Sequence, residues 1–271
     1  MTADRERFVL RPGRAPGLDR VDTRSTGGAP GDKAVVEAGY EATWARLSEL
    51  QERLYAESRR SLLVVLQALD AGGKDGTIGH VFRGLNPQGV RVTPFKAPTP
   101  QELAHDFLWR AHAAVPAQGE IAVFNRSHYE DVLVVRVKDI VAEAVWRARY
   151  DHIRAFEANL VDAGTTIVKV FLHISRDEQR ERLQARLDDP AKHWKFNVAD
   201  LEDRARWPAY EAAFEEAIAE TSTAGAPWYV VPADRKWYRN WAIGRILVET
   251  LEHMNPQFPA PEAPLDGITV K

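Results

Sequence analysis

The stretch Leu62-Leu-Val-Val-Leu-Gln-Ala-Leu-Asp-Ala-Gly-Gly-Lys-Asp-Gly-Thr-Ile78 decides the fold of this chain. Its apolar run 62–66 is typical of a strand that is buried on both faces of a parallel sheet. A glycine turn with one lysine, Lys74, follows this strand and leads into a predicted helix. Glycines let backbone N–H groups converge on an oxyanion, while the helix N-terminus and the lysine add positive potential. The stretch therefore predicts a phosphate-binding turn.

The turn matches the rule G-x-x-x-x-G-K-[S/T] only in part. Ala68 stands where the first glycine belongs, Asp75 follows the lysine, and the nearest hydroxyl comes later, at Thr77. An ordinary glycine-rich turn between a strand and a helix, with its lysine on the surface, is the alternative. In the phosphate-binding interpretation, the residues that accompany Lys74 at the phosphate are Ala71, Gly72, Gly73, Asp75, Gly76 and Thr77.

Strand-like and helix-like patterns alternate along the rest of the chain. This alternation predicts an α/β fold of three layers, with helices on both faces of a mainly parallel sheet of about five strands. The further predicted strands are 90–95, 121–124, 166–174 and 228–231. The predicted helices are 34–60, 77–85, 100–114, 143–163, 177–188, 199–221 and 236–253.

We expect a single domain over 34–254. Residues 1–33 mix Arg, Asp, Gly and Pro without hydrophobic periodicity, which predicts a mobile N-terminal tail. Docking of Phe8–Leu10 on the body of the protein is the alternative for that segment. The Pro-rich composition of 255–271 predicts a C-terminal tail on the surface.

A second polar cluster follows the third predicted strand, within Ile121–Asp131. In open α/β sheets ligands bind at the carboxyl ends of the strands, and the first and third strands of such folds are commonly neighbours. Asp70 and the segment 125–131 are therefore expected to lie across one cleft, where carboxylates and a carboxamide can organise Mg²⁺. Arg126 can neutralise charge on a phosphoryl group there. The alternatives are a helix N-cap for Asp70 and a surface ion pair for Arg126.

A charged helix–loop–helix over 177–206 is the third candidate element. Arg182 and Arg186 are four residues apart and so lie on one face of a helix that a proline ends. Lys192 and Lys195 occupy the irregular stretch that follows. Over a phosphate cleft, such an element can close as a lid, supply positive charge and exclude water. A solvated pair of charged helices is the alternative.

The composition excludes several classes of protein. The chain has 271 residues, 36 Lys and Arg against 39 Asp and Glu, a net charge of −3, and no cysteine. Disulfides, thiolate zinc sites, iron–sulfur clusters and a cysteine nucleophile are therefore excluded. No global positive field attracts nucleic acid or membranes. Apolar runs fall far short of the ~20 residues that cross a bilayer, and no secretory signal is visible, so we expect a cytoplasmic protein without nucleic-acid or membrane partners.

Seven ordered motifs between about Ala34 and His253 resemble the family-2 polyphosphate kinases. The turn and the segment after the third strand are most similar to the subgroup, class III, that phosphorylates both AMP and ADP. The motifs are Asp70-Ala-Gly-Gly-Lys-Asp-Gly-Thr77, Asn86-Pro-Gln-Gly89, Phe95-Lys-Ala-Pro98, His105-Asp-Phe-Leu-Trp-Arg110, Phe124-Asn-Arg-Ser-His-Tyr-Glu-Asp131, Asp189-Pro-Ala-Lys-His-Trp-Lys195 and Ala226-Pro-Trp-Tyr-Val-Val-Pro-Ala-Asp234.

The resemblance implies a P-loop kinase fold with a helical lid. It implies reversible transfer of a terminal phosphoryl group from inorganic polyphosphate to AMP or ADP, forming ADP and ATP, with Mg²⁺ or alternatively Mn²⁺. It also implies a homo-oligomer, a dimer or a tetramer, for which helix 34–60 and the eight Trp offer apolar surface. The implied roles are metal and acceptor handling for Asp70, phosphate-loop binding for Lys74, a place beside the third strand end for Arg126, and lid functions for Arg186 and Lys195.

The chain departs from the other subgroups of the family at two positions. Gly72 stands where they commonly have alanine, which a loop tolerates. Asn125 stands where many of them have aspartate, and an amide cannot serve as an anionic metal ligand or as a base. Asp131 is the first choice for that role, with Glu130 behind it.

Direct phosphoryl transfer fits these residues, because it needs in-line positioning and charge neutralisation rather than a protein nucleophile. A phosphohistidine route has only the residue type of His80, His105, His128 and His173 in its favour. Two rival functions remain: a nucleotide kinase with ATP as donor, which needs a base pocket beside the loop, and a polyphosphate-binding protein without catalysis. A polyphosphate donor needs basic groups beyond the loop, such as Arg83, Lys96, Arg126, Arg182 or Arg186.

Overall fold

A computed structural model describes residues 4–264, 266 and 268–270. Within these residues, a six-stranded sheet has the order β1-β6-β5-β2-β4-β3. Every neighbouring pair is parallel except the edge pair of β1 and β6. The strands are β1 Val9–Leu10, β2 Ser61–Gln67, β3 Val90–Pro94, β4 Ile121–Asn125, β5 Thr165–His173 and β6 Trp228–Pro232.

Helices cover both faces of the sheet, so the predicted three-layer α/β class is confirmed. One apolar core contains side chains of α1, α2 and α11, and the other contains side chains of α6, α7 and α10. Within the described ranges, every helix is too short or too polar to span a bilayer. The helices are α1 Lys33–Ala38, α2 Tyr40–Glu57, α3 Lys74–Val81, α4 Pro100–Leu103, α5 Trp109–His112, α6 Glu130–Val137, α7 Glu143–Asp162, α8 Arg176–Leu187, α9 Ala199–Ala205, α10 Trp207–Thr221 and α11 Lys236–Met254.

The central strand β2 is buried along its whole length and lies between β4 and β5. Leu66 of β2 is in register with Asn125 of β4, so the chain leaves both strands at the same edge of the sheet. This pairing confirms that the first and third predicted strands are neighbours. It brings the glycine turn and the polar segment after β4 together.

Three predicted helices are interrupted in the structure. The stretch 34–60 is divided at Gly39, and 100–114 is divided by residues 104–108, where the Asp106 carboxylate accepts a hydrogen bond from the Leu108 N–H. The stretch 199–221 is divided at Arg206, because Pro208 has no N–H to continue a helix and is favoured in a first turn. Helix α6 was not among the predicted helices, because the segment after the third strand was interpreted only as a cluster of polar site residues.

The N-terminal segment, which composition predicts as a mobile tail, lies against the body of the protein from residue 4 onward. Its β1 pairs antiparallel with β6, and Phe8 is 6% exposed and packs edge-on against Tyr238 and Trp241. Leu18 is also buried, and its N–H donates to the Glu215 carboxylate at 2.9 Å. In the structure, Phe8–Leu10 is therefore docked on the body of the protein. Residues 1–3 of the predicted tail lie outside the described residues.

The C-terminal segment follows the surface beside α2. The Gln257 N–H donates to the Glu57 carboxylate at 3.1 Å, and the Arg53 guanidinium lies 5.9 Å from the Phe258 ring centre. Phe258 itself is 56% exposed. Of the predicted tail 255–271, residues 265, 267 and 271 lie outside the described residues.

Replacing Phe8 by alanine tests whether the N-terminal segment is part of the fold. Phe8→Ala removes a buried ring from an aromatic cluster and is expected to lower the free energy of unfolding by about 3 kcal/mol. The control Phe258→Ala removes an exposed ring and is expected to change it by less than about 0.5 kcal/mol. Urea unfolding followed by circular dichroism measures both, and equal small changes would show that the segment is not docked.

Candidate active site

The glycine turn between β2 and α3 has the backbone geometry of an anion cradle. Ala71 and Gly73 have φ angles of 59° and 103°, in the left-handed region, on either side of Gly72. The Gly72 N–H donates to the Leu69 carbonyl at 3.0 Å, and the Thr77 N–H donates to the Gly73 carbonyl at 2.9 Å to begin α3. Left-handed residues in such a turn direct successive N–H groups to one side, where they can surround an oxyanion.

Lys74 is buried beneath this turn rather than extended on the surface. Lys74 is only 9% exposed, and its Nζ donates a hydrogen bond to the Ala68 carbonyl at 2.8 Å. Burial, reinforced by the nearby Arg126 guanidinium, lowers the pKa of Lys74 to about 8. Lys74 is therefore a buried residue that also lines a cavity, which distinguishes this turn from one with an ordinary surface lysine.

Arg126 meets Asp70 across the cleft between the ends of β2 and β4. Its backbone has a φ of 61°, and its N–H donates to the Leu66 carbonyl at 3.1 Å. The guanidinium forms ion pairs with Asp70 and, at 3.1 Å, with Glu130. The carboxylates of Glu130 and Asp70 hold the pKa of Arg126 above its usual range despite burial. The arginine is therefore a fixed charge beside the turn.

The start of the predicted lid also contacts the turn. In α8, the Gln179 amide donates to the Asp70 carbonyl at 2.9 Å, and Arg182 donates to the Ala71 carbonyl at 3.0 Å. Arg182 Nε also donates to the Glu178 carboxylate at 2.8 Å. The carbonyl oxygens of Asp70 and Ala71 are therefore bonded to this helix, which fixes the turn against α8.

Two cations at the start of α11, Lys236 and Arg239, line the same cavity as the turn, and neither was among the predicted site residues. Arg239 is 3% exposed, and its guanidinium lies so close to the turn that a Cβ built on Gly73 would collide with Nη1. Burial and the Arg182 charge lower the pKa of Arg239 to about 10, and burial with the same charge also lowers the pKa of Lys236. A signal was present in the sequence, because cations in the first turn of a helix oppose its dipole.

The far part of the lid carries cations that are already partnered. Arg186 donates to the Lys195 carbonyl at 3.2 Å and lies 3.6 Å from the Asp200 carboxylate. Lys192 lies 2.7 Å from the Asp189 carboxylate, and its neighbour Trp194 is 79% exposed. Burial and the Asp70 carboxylate raise the pKa of Asp200 to about 6. The lid thus places two cations, Arg186 and Lys192, and one carboxylate, Asp200, at the cleft.

These elements enclose a cavity of about 780 Å³ at the carboxyl edge of the sheet. Most of the predicted site residues line it, together with Lys236 and Arg239, which were not predicted. The predicted residues in its walls are Asp70, Ala71, Gly72, Gly73, Lys74, Asp75, Gly76, Lys96, Asn125, Arg126, Arg182, Arg186, Lys192 and Lys195.

Four predicted site residues lie elsewhere. Thr77 is fully buried within α3, and Arg83 is stacked over the Trp44 ring at 4.3 Å. Glu130 is the partner of Arg126. The remaining residue, Asp131, requires a correction, because it is on the side of α6 away from the cavity.

The surroundings of Asp131 explain why it cannot replace an aspartate at position 125. One carboxylate oxygen lies 3.5 Å from the Arg110 guanidinium and the other lies 3.4 Å from the Arg149 guanidinium. Burial raises the pKa of Asp131 despite these two arginines. Both oxygens are engaged in holding α6 to its neighbours, so the expected metal role does not fit this position.

Asp70, Asp75 and Asn125 supply the oxygen atoms that could hold a metal ion in the cavity. The Asn125 amide nitrogen donates to the Asp75 carboxylate at 2.7 Å. Among the described residues, no group of three or more Asp, Glu or His side chains could hold a metal by itself. Mg²⁺ is commonly bound by one or two carboxylates and by substrate phosphates, with water completing its shell. The donor set fits that mode and not an all-protein cage.

A buried charged network supports the segment after β4. Lys169 of β5 donates to the Glu157 carboxylate at 2.5 Å and to the Tyr129 hydroxyl at 3.0 Å, and all three side chains are almost fully buried. The Tyr129 hydroxyl in turn donates to Glu157 at 2.8 Å. Since Tyr129 follows Arg126 by three residues, the network fixes the backbone that carries the site arginine.

The four candidate histidines do not line the cavity. His128 is fully buried beside Glu157, and burial lowers its pKa. His173 is hydrogen-bonded to the Leu18 carbonyl at 3.0 Å. His80 packs against Tyr40 and Trp44, and His105 stacks on Trp109. Their positions give a phosphohistidine route no support.

Two glycines, Gly73 just before α3 and Gly79 within it, provide a matched test of the cradle. Gly73→Ala places a Cβ at a φ of 103° and against buried Arg239, so it is expected to lower the free energy of unfolding by about 2 kcal/mol. Gly79→Ala, within α3, meets no heavy atom within 4 Å and is expected to raise it by about 0.5 kcal/mol. Denaturant unfolding measures both; a shift of the same sign in both would contradict the geometry.

The sequence profile of the family described as Polyphosphate kinase 2 (PPK2) matches residues 31–259. An AMP/ADP-polyphosphate phosphotransferase of Meiothermus ruber is 55% identical over 266 residues, which cover 98% of this chain and 100% of that protein. An ADP-polyphosphate phosphotransferase of Rhodopseudomonas palustris is 49% identical, covering 79% of this chain and 78% of that protein. The crystal structure of polyphosphate kinase 2 from Arthrobacter aurescens TC1 has a TM-score of 0.93 and 46% identity, covering 97% of this chain and 94% of that one. These matches confirm the resemblance carried by the seven motifs, and the chain belongs to the polyphosphate kinase 2 family.

Proposed function

We propose that this enzyme transfers the terminal phosphoryl group of inorganic polyphosphate to AMP and to ADP, forming ADP and ATP, and that the reaction is reversible. The observation that carries the proposal is the cavity, where a glycine cradle, a buried lysine and several arginines converge at one edge of the sheet. The name of the Meiothermus ruber relative, which specifies both AMP and ADP, supports the choice of acceptors.

The chain's own residues bind and neutralise the reacting phosphates. The N–H groups around Gly73 hold oxygens of the donor end, and the Lys74 ammonium group reaches the transferred phosphoryl group from below. Arg126, fixed by Asp70, lies beside the same space and stabilises the charge that spreads over the transferring group. No protein nucleophile is needed, because direct in-line transfer requires positioning and electrostatic stabilisation.

We propose Mg²⁺ as the metal, with Mn²⁺ as the alternative. Asp70 and Asp75 would hold it together with phosphate oxygens of the substrates, and the Asn125 carbonyl oxygen is a neutral ligand that could join them. When bound, the cation neutralises phosphate charge. Because residue 125 is an asparagine, the Asp75 carboxylate has a neutral amide beside it and not a second negative charge.

The segment 177–206 is proposed to act as the lid. Its start is attached to the turn through Gln179 and Arg182, whereas Arg186, Lys192 and Lys195 line the cavity further out. Arg186 would exchange its Asp200 partner for phosphate oxygens of the substrate. This exchange would move the outer part of the lid inward and exclude water. Arg182 and Arg186 would then help to neutralise the negative charge of the transition state.

A cytoplasmic location and a homo-oligomeric state, dimer or tetramer, remain part of the proposal, as does the absence of nucleic-acid and membrane partners. The net charge of −3 supports the last point, because it gives the protein no global positive field that would attract a polyanion or an anionic surface.

The direct test gives the purified protein AMP, Mg²⁺ and long-chain polyphosphate, and follows the formation of ADP and ATP. Lys74→Met is expected to lower kcat by about a hundredfold or more, because it removes a charge that acts on the transition state. Lys33→Met, which removes an exposed lysine of α1, is the matched control and is expected to leave kcat unchanged.

Three outcomes would overturn parts of this proposal. Activity with ATP as the only donor would establish the nucleotide kinase instead. Polyphosphate binding without any turnover would establish the non-catalytic binding protein. An unchanged rate in Lys74→Met would remove the lysine from the mechanism.

The pKa of Lys74 predicts how polyphosphate affinity depends on pH. Bound phosphates favour the ammonium form, so they raise a pKa that is about 8 in the free protein, and binding above pH 8 takes up a proton. Affinity is therefore expected to fall between pH 8 and pH 10, by up to about tenfold per pH unit. Isothermal titration calorimetry measures it, and the same slope in Lys74→Met would contradict this assignment.

A further inference from the structure

The carboxylate of Asp234 joins the N-terminal segment to α8, the first helix of the proposed lid. Asp234 follows β6 and is only 6% exposed. One carboxylate oxygen accepts a hydrogen bond from the Thr23 hydroxyl and the other accepts one from the Ser175 N–H, both at 2.8 Å. The Asp234 N–H donates in turn to the Thr23 carbonyl at 3.2 Å. Because both of its oxygens are hydrogen-bonded, this buried carboxylate has a fixed position between the two segments.

The bond to Ser175 determines where α8 begins. Ser175 is the N-cap of this helix, and its hydroxyl accepts from the Glu178 N–H at 3.1 Å. Such a cap satisfies one of the N–H groups that the first turn of a helix leaves without a partner. The backbone N–H of the cap itself is held by Asp234. The start of α8 is therefore attached to the loop after β6.

Arg182 attaches the same helix to the same loop about two helical turns further on. Its Nη2 donates to the carbonyls of Ala233 and Asp234, at 2.6 and 3.1 Å. Its Nη1 donates to the Ala71 carbonyl of the glycine turn at 3.0 Å. Two attachment points along the helix axis fix the position and direction of α8. They also fix the place where the guanidinium meets the turn.

The N-terminal segment is bonded to the neighbouring strand end as well. His173 is the last residue of β5, is 5% exposed, and is hydrogen-bonded through its ring to the Leu18 carbonyl at 3.0 Å. The His173 carbonyl accepts from the Ala233 N–H at 2.8 Å. The end of β5, which leads into α8, and the loop after β6 are therefore bonded to each other and to the N-terminal segment.

Resting on the proposed function, we infer that Asp234 is a positioning residue and that Thr23 of the N-terminal segment holds it in place. Asp234 does not line the cavity, whereas Arg182 does. Asp234 acts through α8: by fixing Ser175 it aligns Arg182 with the glycine turn. The N-terminal segment thus takes part in orienting a cation of the site, although it lies at the other end of the chain from Asp234.

The test measures kcat for phosphoryl transfer from polyphosphate to AMP in two variants of Asp234. Asp234→Ala removes both side-chain bonds and is expected to lower kcat about tenfold, because a displaced guanidinium stabilises the transition state less. Asp234→Asn is expected to stay within about threefold of the wild type. Its amide oxygen can accept from Ser175, and its nitrogen can donate to the Thr23 hydroxyl.

A double-mutant cycle with Arg182 separates positioning from a general loss of stability. In the Arg182→Gln background, Asp234→Ala is expected to lower kcat by less than about twofold, because the group that Asp234 positions is already absent. A loss of about tenfold in both backgrounds would overturn the inference. So would an equal loss in Asp234→Ala and Asp234→Asn.

Two hydroxyl deletions test the contribution of the N-terminal segment. Thr23→Val removes the donor to Asp234 and is expected to lower kcat about threefold. Tyr238→Phe is the matched control: it removes a hydroxyl that donates to the Gly27 carbonyl of the same segment at 2.6 Å, and kcat is expected to stay unchanged. The same kcat in both variants would show that Thr23 does not hold Asp234.

Hydrogen–deuterium exchange of the free protein adds a readout that needs no turnover. Amides 178–182 of α8 are expected to exchange about tenfold faster in Asp234→Ala and at the wild-type rate in Asp234→Asn. Unchanged exchange in Asp234→Ala would contradict the attachment of α8 by Asp234. If the wild-type protein does not turn over polyphosphate, the proposed function fails, whereas the exchange rates still decide whether Asp234 holds α8.

Discussion

The accumulation of positive charge around one glycine turn is the constraint on which the rest of the structure depends. Lys74 and Arg239 are buried, Arg182 and Arg126 adjoin them, and the lowered pKa values of the first two reflect the cost of keeping charge out of water. A buried charge persists only when other groups hold it in place. Carbonyl oxygens of the turn hold Lys74, and carboxylates hold Arg126 and Arg182. Among the described residues, Arg239 forms no ion pair with a carboxylate, and its guanidinium donates hydrogen bonds to the Asn240 side-chain carbonyl.

The parallel sheet makes this concentration possible. Because β2 lies between β4 and β5, the loops after these strands reach the same edge, and the turn, Arg126 and α8 come from three separate parts of the chain. Behind them, the Lys169–Glu157 pair ties β5 to α7 and supports the segment after Arg126. Removing one member of such a pair leaves an uncompensated charge, which costs about 3–5 kcal/mol. The site is thus held from both faces of the sheet.

Much of this arrangement could be predicted from local patterns. The buried strand, the glycine turn and the polar segment after β4 each have a short signature, and the neighbouring of their strands follows from the topology of open sheets. Asp131 was assigned wrongly because adjacent residues on a helix differ by about 100° in direction: Glu130 points to Arg126, so Asp131 points to Arg110 and Arg149. Sequence spacing alone did not distinguish them.

Other features depend on contacts that no local pattern contains. Arg239 is distant from Gly73 in sequence, and only tertiary packing brings them together. Gly39 and Pro208 divide amphipathic stretches whose periodicity runs through the breaks. The N-terminal segment docks through a strand of two residues and a few buried side chains, a signal too short to separate from the charged composition around it.

The pairing of β1 with β6 has a consequence for the synthesis of the protein. The two strands are about 220 residues apart, so at ~5–20 residues per second roughly 10–45 s pass between the translation of Val9 and that of Tyr229. During this interval Phe8 has no partner ring, because Tyr238 and Trp241 are made later still. The segment around Phe8 is therefore made about 220 residues before its partner strand and is among the last to reach its native position, and until then its apolar residues are accessible to chaperones.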